Sequence, residues 1–335
     1  MKVCVVGAGS IGGLMGVHLA RQGHDVTLIM RGANLAAVKD NGMTVIDEDG
    51  TEHTQRVAAT DRIAEAGQQD LVILGLKAHQ LADVVSELPA LYGDDTIVMT
   101  AQNGIPWWYF KKHGGPMDGR DLESVDPGGI IAAHLPFDRV VGAVIYPAAY
   151  LASPGVVRHV EGRRISIGEI DNSETDRITR LSAVLREAGF KSPVLSDIRA
   201  EIWTKLWGNL SFNPISALTH ATLAEICQLP RTRDLAAAMM VEARTVAEKL
   251  GIRFKVSLEK RLAGAQAVGA HKTSMLQDVE SGRRVELEAL VGSVVELARL
   301  TDTPTPHIDA VLACMSLLDR KLETSKGRLV MTPLN

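Results

Sequence analysis

Two groups of residues in this 335-residue chain have the types and spacing that chemistry needs. The first is Gly7-Ala8-Gly9-Ser10-Ile11-Gly12, which follows a β-branched run and opens an apolar helical pattern. In that setting the first glycine permits a tight turn, the second lets backbone approach a pyrophosphate, and the third lets helix and strand pack closely. Phosphates would sit on the unpaired N–H groups of the helix N-terminus, where the helix dipole also favours negative charge. The spacing predicts a dinucleotide-binding loop. The second group is Glu201, Lys205, Asn209 and Asn213, spaced by four along a strongly apolar pattern. At that spacing they drift only about 40° per step around a helix. A lysine and two amides on a buried face are costly unless something polar meets them. Two readings stand: an interhelical hydrogen-bond network, or a substrate-facing stripe whose lysine donates a proton or holds an anion.

Other polar residues gain meaning from where they fall. After the second strand pattern, a chain that binds NAD usually carries a carboxylate for the ribose hydroxyls; this one has Met30-Arg31-Gly32. Arg31 can hold a 2′-phosphate by a charge-assisted fork, whereas a carboxylate would repel it, so NADP is the expected cofactor. Lys77 and Asn103 follow the strand patterns LVILGL and TIVMTAQ at their carboxyl ends, the edge at which open α/β sheets bind ligands. Further on, Ser274 precedes a helical pattern containing Glu286 and Glu288. Ser274 could be no more than a helix cap, and spacing does not choose between the two glutamates.

The elements that must position these residues divide the chain in two. Strand patterns at Val3–Val6, Val26–Met30, Leu71–Leu76, Thr96–Thr100, Val140–Tyr146 and Ile165–Gly168 alternate with helical ones such as Ile11–Gln22 and Leu81–Leu88. Such alternation predicts βαβ units and a mostly parallel sheet covered on both faces. Residues 104–137 interrupt it with Trp107-Trp108-Tyr109-Phe110 and a stretch rich in Gly, Asp and Pro. This insertion reads either as a surface excursion with docked aromatics or as a lid over a site. From Asp197 the strand signal stops, and helical patterns cover Asp197–Leu218, Arg233–Leu250, Leu258–Val268, Arg283–Leu300 and Ile308–Leu322. The expected architecture is therefore an α/β Rossmann-type domain over 1–196 followed by an all-helical domain over 197–335.

Composition narrows the partners. The 36 basic and 40 acidic residues leave a net charge of −4, which gives no electrostatic reason to expect nucleic acid or an anionic membrane. Three scattered cysteines without metal-ligand spacing argue against a disulfide framework and a zinc site, and favour a cytoplasmic location. Met1-Lys2 with the apolar stretch behind it looks superficially like a signal peptide, but five glycines would weaken that helix and the dinucleotide loop explains them better. Oligomeric state is not fixed by the sequence, and a homodimer stays open.

Taken together, VVGAGSIGG, GLKAHQ, QNG, RAEIWTKLWGNLSFNP and TSMLQDVESGRRVELE resemble the ketopantoate reductase family over most of the chain. The resemblance implies a Rossmann domain joined to a helical domain like that of 6-phosphogluconate dehydrogenase, with the active site in the cleft between. It implies reduction of ketopantoate to pantoate by NADPH, on the way to pantothenate and coenzyme A. By the same resemblance Gly7 to Gly12, Arg31, Lys77 and Asn103 bind cofactor. Lys205 is the catalytic lysine, Asn209, Asn213 and Ser274 bind substrate, and Glu286 is the active-site glutamate. Departures fall on the substrate side. The insertion after Asn103 is long, His271 stands where asparagine is expected, and a further asparagine near Leu223 is absent. Another branched 2-oxo acid, or a 3-hydroxyacid, is therefore an alternative substrate. A non-catalytic NADP sensor is a third reading, disfavoured because a sensor needs no proton donor.

Overall fold

The computed structural model describes residues 1–332. Residues 333–335, which close the expected second domain, lie outside the described residues. The chain divides into two compact units, residues 1–102 with 107–198 and residues 103–106 with 199 onward.

In the first unit the strands are β1 (Lys2–Val6), β2 (Asp25–Ile29), β3 (Met43–Ile46), β4 (Glu52–Gln55), β5 (Ala58–Thr60), β6 (Gln69–Leu74), β7 (Tyr92–Thr100), β8 (Val140–Ile145), β9 (Ala148–Ser153), β10 (Val156–Glu161) and β11 (Ile165–Glu169). Its helices are α1 (Ser10–Arg21), α2 (Gly32–Asn41), α3 (Ile130–His134) and α4 (Asp176–Glu187). Seven strands form one sheet in the order β11-β8-β7-β6-β1-β2-β5. All neighbours run parallel except β11 against β8. β1 is buried from Val3 to Val6, as a central strand covered on both faces must be.

A second sheet, β4-β3-β10-β9, was not legible in the sequence. Its strands are short and half-exposed, with polar residues such as Glu52, His53 and Arg158 where an apolar run would have marked them. α1 packs on this sheet as well as on the first. A Cβ at Gly16 would stand 2.7 Å from Leu28 of the seven-stranded sheet, and one at Gly13 would collide with Met43 of the smaller one. α1 is buried from Gly12 to Leu19, and apolar there except for His18, because both sides of it are covered. Leu81–Leu88 does not form the α-helix its pattern predicts. Bend and turn at 81–84 and a 3₁₀ segment, Val85–Leu91, stand there instead. Pro89 disfavours the α conformation at the residue before it and cannot donate to a helical ladder. The aromatics Trp107–Phe110 are core residues of this unit, none more than 4 % exposed. Trp108 Nε1 donates to Thr100 Oγ1 at 3.2 Å.

The smaller sheet and α1 enclose a cluster of ionisable groups around Asp47. His159 Nδ1 is 3.1 Å from its carboxylate, Arg163 3.1 Å, His53 3.3 Å and His18 of α1 3.5 Å. Against the burial that would raise it, the hydrogen bond from His159 and the charges of His18 and Arg163 hold the Asp47 carboxyl below its ordinary value. Burial pushes the His18 imidazole down to about 4, despite the pull of Asp47. Folded His18 is thus neutral where an unfolded-chain histidine, titrating at about 6.5, takes up a proton. The unfolded state binds more protons in that range, so stability falls as pH drops from about 6.5 toward 4, by roughly 2–3 kcal/mol from this group. In His18→Gln the drop between pH 7 and pH 5, read from urea midpoints, is expected to shrink. An unaltered drop would assign it to another group.

The second unit is helical: α5 (Ile198–Thr219), α6 (Leu223–Gln228), α7 (Pro230–Lys249), α8 (Leu258–Ala267), α9 (Ser274–Glu280), α10 (Ser293–Leu300) and α11 (Pro306–Ser325). Trp203, Leu206, Trp207 and Leu210 are the buried face of α5. Trp207 Nε1 donates to the Met240 carbonyl of α7 at 2.6 Å, and its ring lies 4.5 Å from that of Phe254. The pattern at Arg283–Leu300 is not one helix. Arg283–Glu286 is irregular, Glu288–Gly292 is a π-helical turn, and α10 follows. Glu288 folds over Gly292, where any Cβ would collide with its carboxylate. Among the described residues no helix is long and apolar enough to cross a membrane.

Candidate active site

Lys205 lies on α5 one helical turn past Glu201, on the edge of the apolar face, with its side chain half-buried. Its ammonium donates to Asn103 Oδ1 at 2.5 Å. The same amide donates through Nδ2 to Glu286 Oε2 at 3.5 Å. An ammonium can only donate and a carboxylate only accept, so this pair of neighbours forces the orientation of the Asn103 amide. Burial pushes the Lys205 amine down to about 8, and the Glu286 carboxylate opposes it by favouring the charged form. Residues 102 and 183 positions apart in sequence thus meet at one amide.

The structure separates the two glutamates that spacing could not. Glu286 is the carboxylate that acts on Lys205. Glu288 belongs to the π-helical turn, where its partial burial and the charges of Asp319 and Glu296 push its carboxyl up. Asn209 and Asn213 continue the lysine's stripe along α5, Asn209 half-buried and Asn213 6 % exposed. No hydrogen bond of either side-chain amide is found among the described residues. Amides without a protein partner on such a face suit groups that meet a polar ligand. Ser274 is exposed at the first position of α9 and is not its cap. Thr273 caps that helix, its Oγ1 accepting from the Leu276 N–H at 3.2 Å.

In the first unit, the glycine loop joins β1 to α1. Gly7 has φ +89°, and a Cβ there would stand 2.6 Å from Leu76. Only glycine takes that backbone comfortably, which is what the loop's first position requires. The Gly7 and Ala8 N–H groups donate to the Ile29 carbonyl at 3.1 and 3.0 Å, tying the loop to the end of β2. Gly9 faces open space where a Cβ would be, and no side chain caps the first turn of α1. Ser10 and Ile11 form that turn, and Gly12 packs against the Gly7 carbonyl and Val5. A bare cradle of this kind fits a pyrophosphate. Arg31 is exposed at the start of α2, immediately past β2. Lys77 lies three residues past β6, its backbone N–H donating to Gln80 Oε1 at 3.1 Å. These three features follow adjacent parallel strands of one sheet at their carboxyl ends. Among the described residues no cluster of histidine, cysteine or carboxylate side chains could hold a metal ion.

Known proteins resemble this chain over most of its length. Residues 3–108 match the family described as ketopantoate reductase PanE/ApbA, and residues 197–319 match its C-terminal domain. A 2-dehydropantoate 2-reductase of Mesorhizobium japonicum is 50% identical over 328 residues, covering 98% of this chain and 99% of that protein. A crystal structure of a candidate ketopantoate reductase from Ralstonia solanacearum superposes with a TM-score of 0.91 at 38% identity, covering 96% of this chain and 98% of that one. A D-mandelate dehydrogenase solved with NADH and anilino(oxo)acetate has a TM-score of 0.82 over 96% of this chain and 99% of its own. At 21% identity, that likeness speaks for the fold alone.

Proposed function

The chain belongs to the ketopantoate reductase family, and from that premise we propose that it reduces ketopantoate to pantoate with NADPH. The observation that carries the reading is the Lys205–Asn103–Glu286 cluster, with two unpartnered amides beside it on α5. Residues 1–196 would bind the cofactor. The glycine loop takes the pyrophosphate, Arg31 the 2′-phosphate, and Lys77 and Asn103 further polar groups. Residues 197–335 would hold the substrate and the acid.

The bound cofactor supplies the hydride; the chain's work is orientation and proton delivery. The Lys205 ammonium polarises the carbonyl oxygen and gives it a proton as negative charge develops there. An amine at about 8 is still mostly protonated at neutral pH yet a readier acid than an ordinary lysine. Asn103 accepts one of its N–H bonds and so steadies the aim of the amine. Asn209 and Asn213 orient substrate polar groups, Ser274 takes the carboxylate, and Glu286 keeps the amine charged. Three free cysteines suit a reducing cytoplasm.

Since the acid must be protonated, kcat/KM falls as pH rises through about 8. Glu286→Gln removes the charge that favours the ammonium, so this limb of the profile moves to lower pH. A limb that stays in place would mean that Glu286 does not set the amine's charge. The whole reading is tested by following NADPH oxidation with a panel of 2-oxo acids, with ketopantoate expected to turn over fastest. Tight NADPH binding with no oxidation on any of them would leave a sensor.

A second substrate is the alternative, because His271 stands where asparagine is expected and a further asparagine near Leu223 is absent. Faster turnover on another branched 2-oxo acid in the same panel would assign the enzyme to it.

A further inference from the structure

Asn103 can hold the Lys205 amine only if its own backbone is fixed, and the fixing comes from the π-helical turn. Gly104 has φ +90°, and a Cβ there would run into the Ala289 carbonyl oxygen and stand 2.5 Å from its carbon. The next residue, buried Ile105, donates its N–H to that same oxygen at 2.9 Å. A third group converges on it: Ser293 Oγ, fully buried, donates at 2.8 Å. Ala289 lies in the π-helical turn Glu288–Gly292, and the Leu290 N–H of that turn donates to the Glu286 carbonyl at 3.2 Å. One short segment therefore carries both the carboxylate that faces Asn103 and the carbonyl that anchors its backbone. A π turn interrupts the regular ladder and re-aims its carbonyls, and such turns concentrate at functional sites.

We propose that Gly104, Ala289 and Ser293 are positioning residues: they form a backbone dock on the π-helical turn that holds Asn103 against the Lys205 amine and thereby sets its charge and aim. The proposal rests on Lys205 being the acid. Any side chain at 104 must lift the segment off the Ala289 carbonyl, both by collision and because a positive φ is strained for an L-residue. The Asn103 oxygen then withdraws from the ammonium. A hydrogen bond made to the charged form favours that form, so its loss lowers the amine's pKa. The dock thus predicts two linked changes, in rate and in pH profile.

The test measures kcat and kcat/KM against pH for Gly104→Ala and Ser293→Ala, with NADPH affinity measured separately by fluorescence. In Gly104→Ala, kcat is expected to drop by about 10²-fold, the scale of a misplaced catalytic group, and the high-pH limb to move to lower pH. Ser293→Ala, which removes one donor from the carbonyl and no bulk, is expected to lose about 5-fold with a smaller shift in the same direction. A lost fraction of folded protein would scale kcat and leave the limb where it was, so reduced rates with an unmoved limb overturn the dock. Wild-type rates in both variants overturn it too. If Gly104→Ala does not fold, Ser293→Ala decides alone. Failure of the underlying reading looks different: the wild-type profile then lacks a limb near pH 8, or Lys205→Ala turns over normally.

Discussion

Lys205→Ala is expected to lower turnover on ketopantoate by ~10²–10⁴-fold, the range over which a positioned general acid contributes. The side chain touches Asn103 and faces Glu286, and burial makes its amine more acidic than a lysine in water. Alanine removes the proposed proton donor and leaves the Asn103 amide facing a gap, so on that proposal the carbonyl oxygen would have to find its proton in water. NADPH affinity should change little, because the proposed pyrophosphate cradle is the loop after β1. The signature is therefore a fall in kcat with cofactor affinity kept, read in steady-state kinetics alongside a fluorescence titration. Near-normal turnover would remove the amine from the mechanism and leave the cluster a structural one. Lys205→Arg is a useful companion. It keeps the charge, but a guanidinium does not give up its proton near neutral pH, so turnover should stay low.

Arg31→Ala is expected to raise the KM for NADPH roughly 10–10²-fold, the scale of losing a hydrogen-bonded charge pair, and to leave that for NADH nearly unchanged. The glycine loop hangs from the Ile29 carbonyl by two N–H groups, and Arg31 begins two residues later. That short tether fixes where a guanidinium at 31 can reach once a pyrophosphate occupies the loop. No carboxylate stands at Met30, Arg31 or Gly32 to read the ribose hydroxyls instead. Because Arg31 is exposed, salt should weaken its contribution, and the preference for NADPH should narrow as ionic strength rises. Equal changes for both cofactors would show that the arginine does not read the 2′-phosphate.

Legibility in the sequence followed the range of the forces involved. β1 with its glycine loop and α1 announced themselves through strand, turn and helix preferences within a few residues, and the stripe on α5 through helical spacing. The smaller sheet did not, because its short strands are half-exposed and carry polar residues; only pairing with distant partners makes them strands. The Arg283–Leu300 pattern predicts a single helix, since apolar spacing cannot distinguish a regular turn from one widened around a glutamate folded over Gly292. Thr273 rather than Ser274 proved to be the cap of α9, a one-residue difference that depends on where the helix starts.

The amino-acid order by itself determined which groups were on offer: a glycine loop between strand and helix, a cation just past the second strand, and an amine among amides on one helix. These depend on neighbours in the chain, and local sterics settle them. Only the tertiary structure decided which carboxylate serves the amine, that Asn103 is its hydrogen-bond partner, and how far burial lowers its pKa. Those outcomes arise when segments distant in sequence desolvate one another, and a linear sequence does not display which charges will share a low-dielectric site.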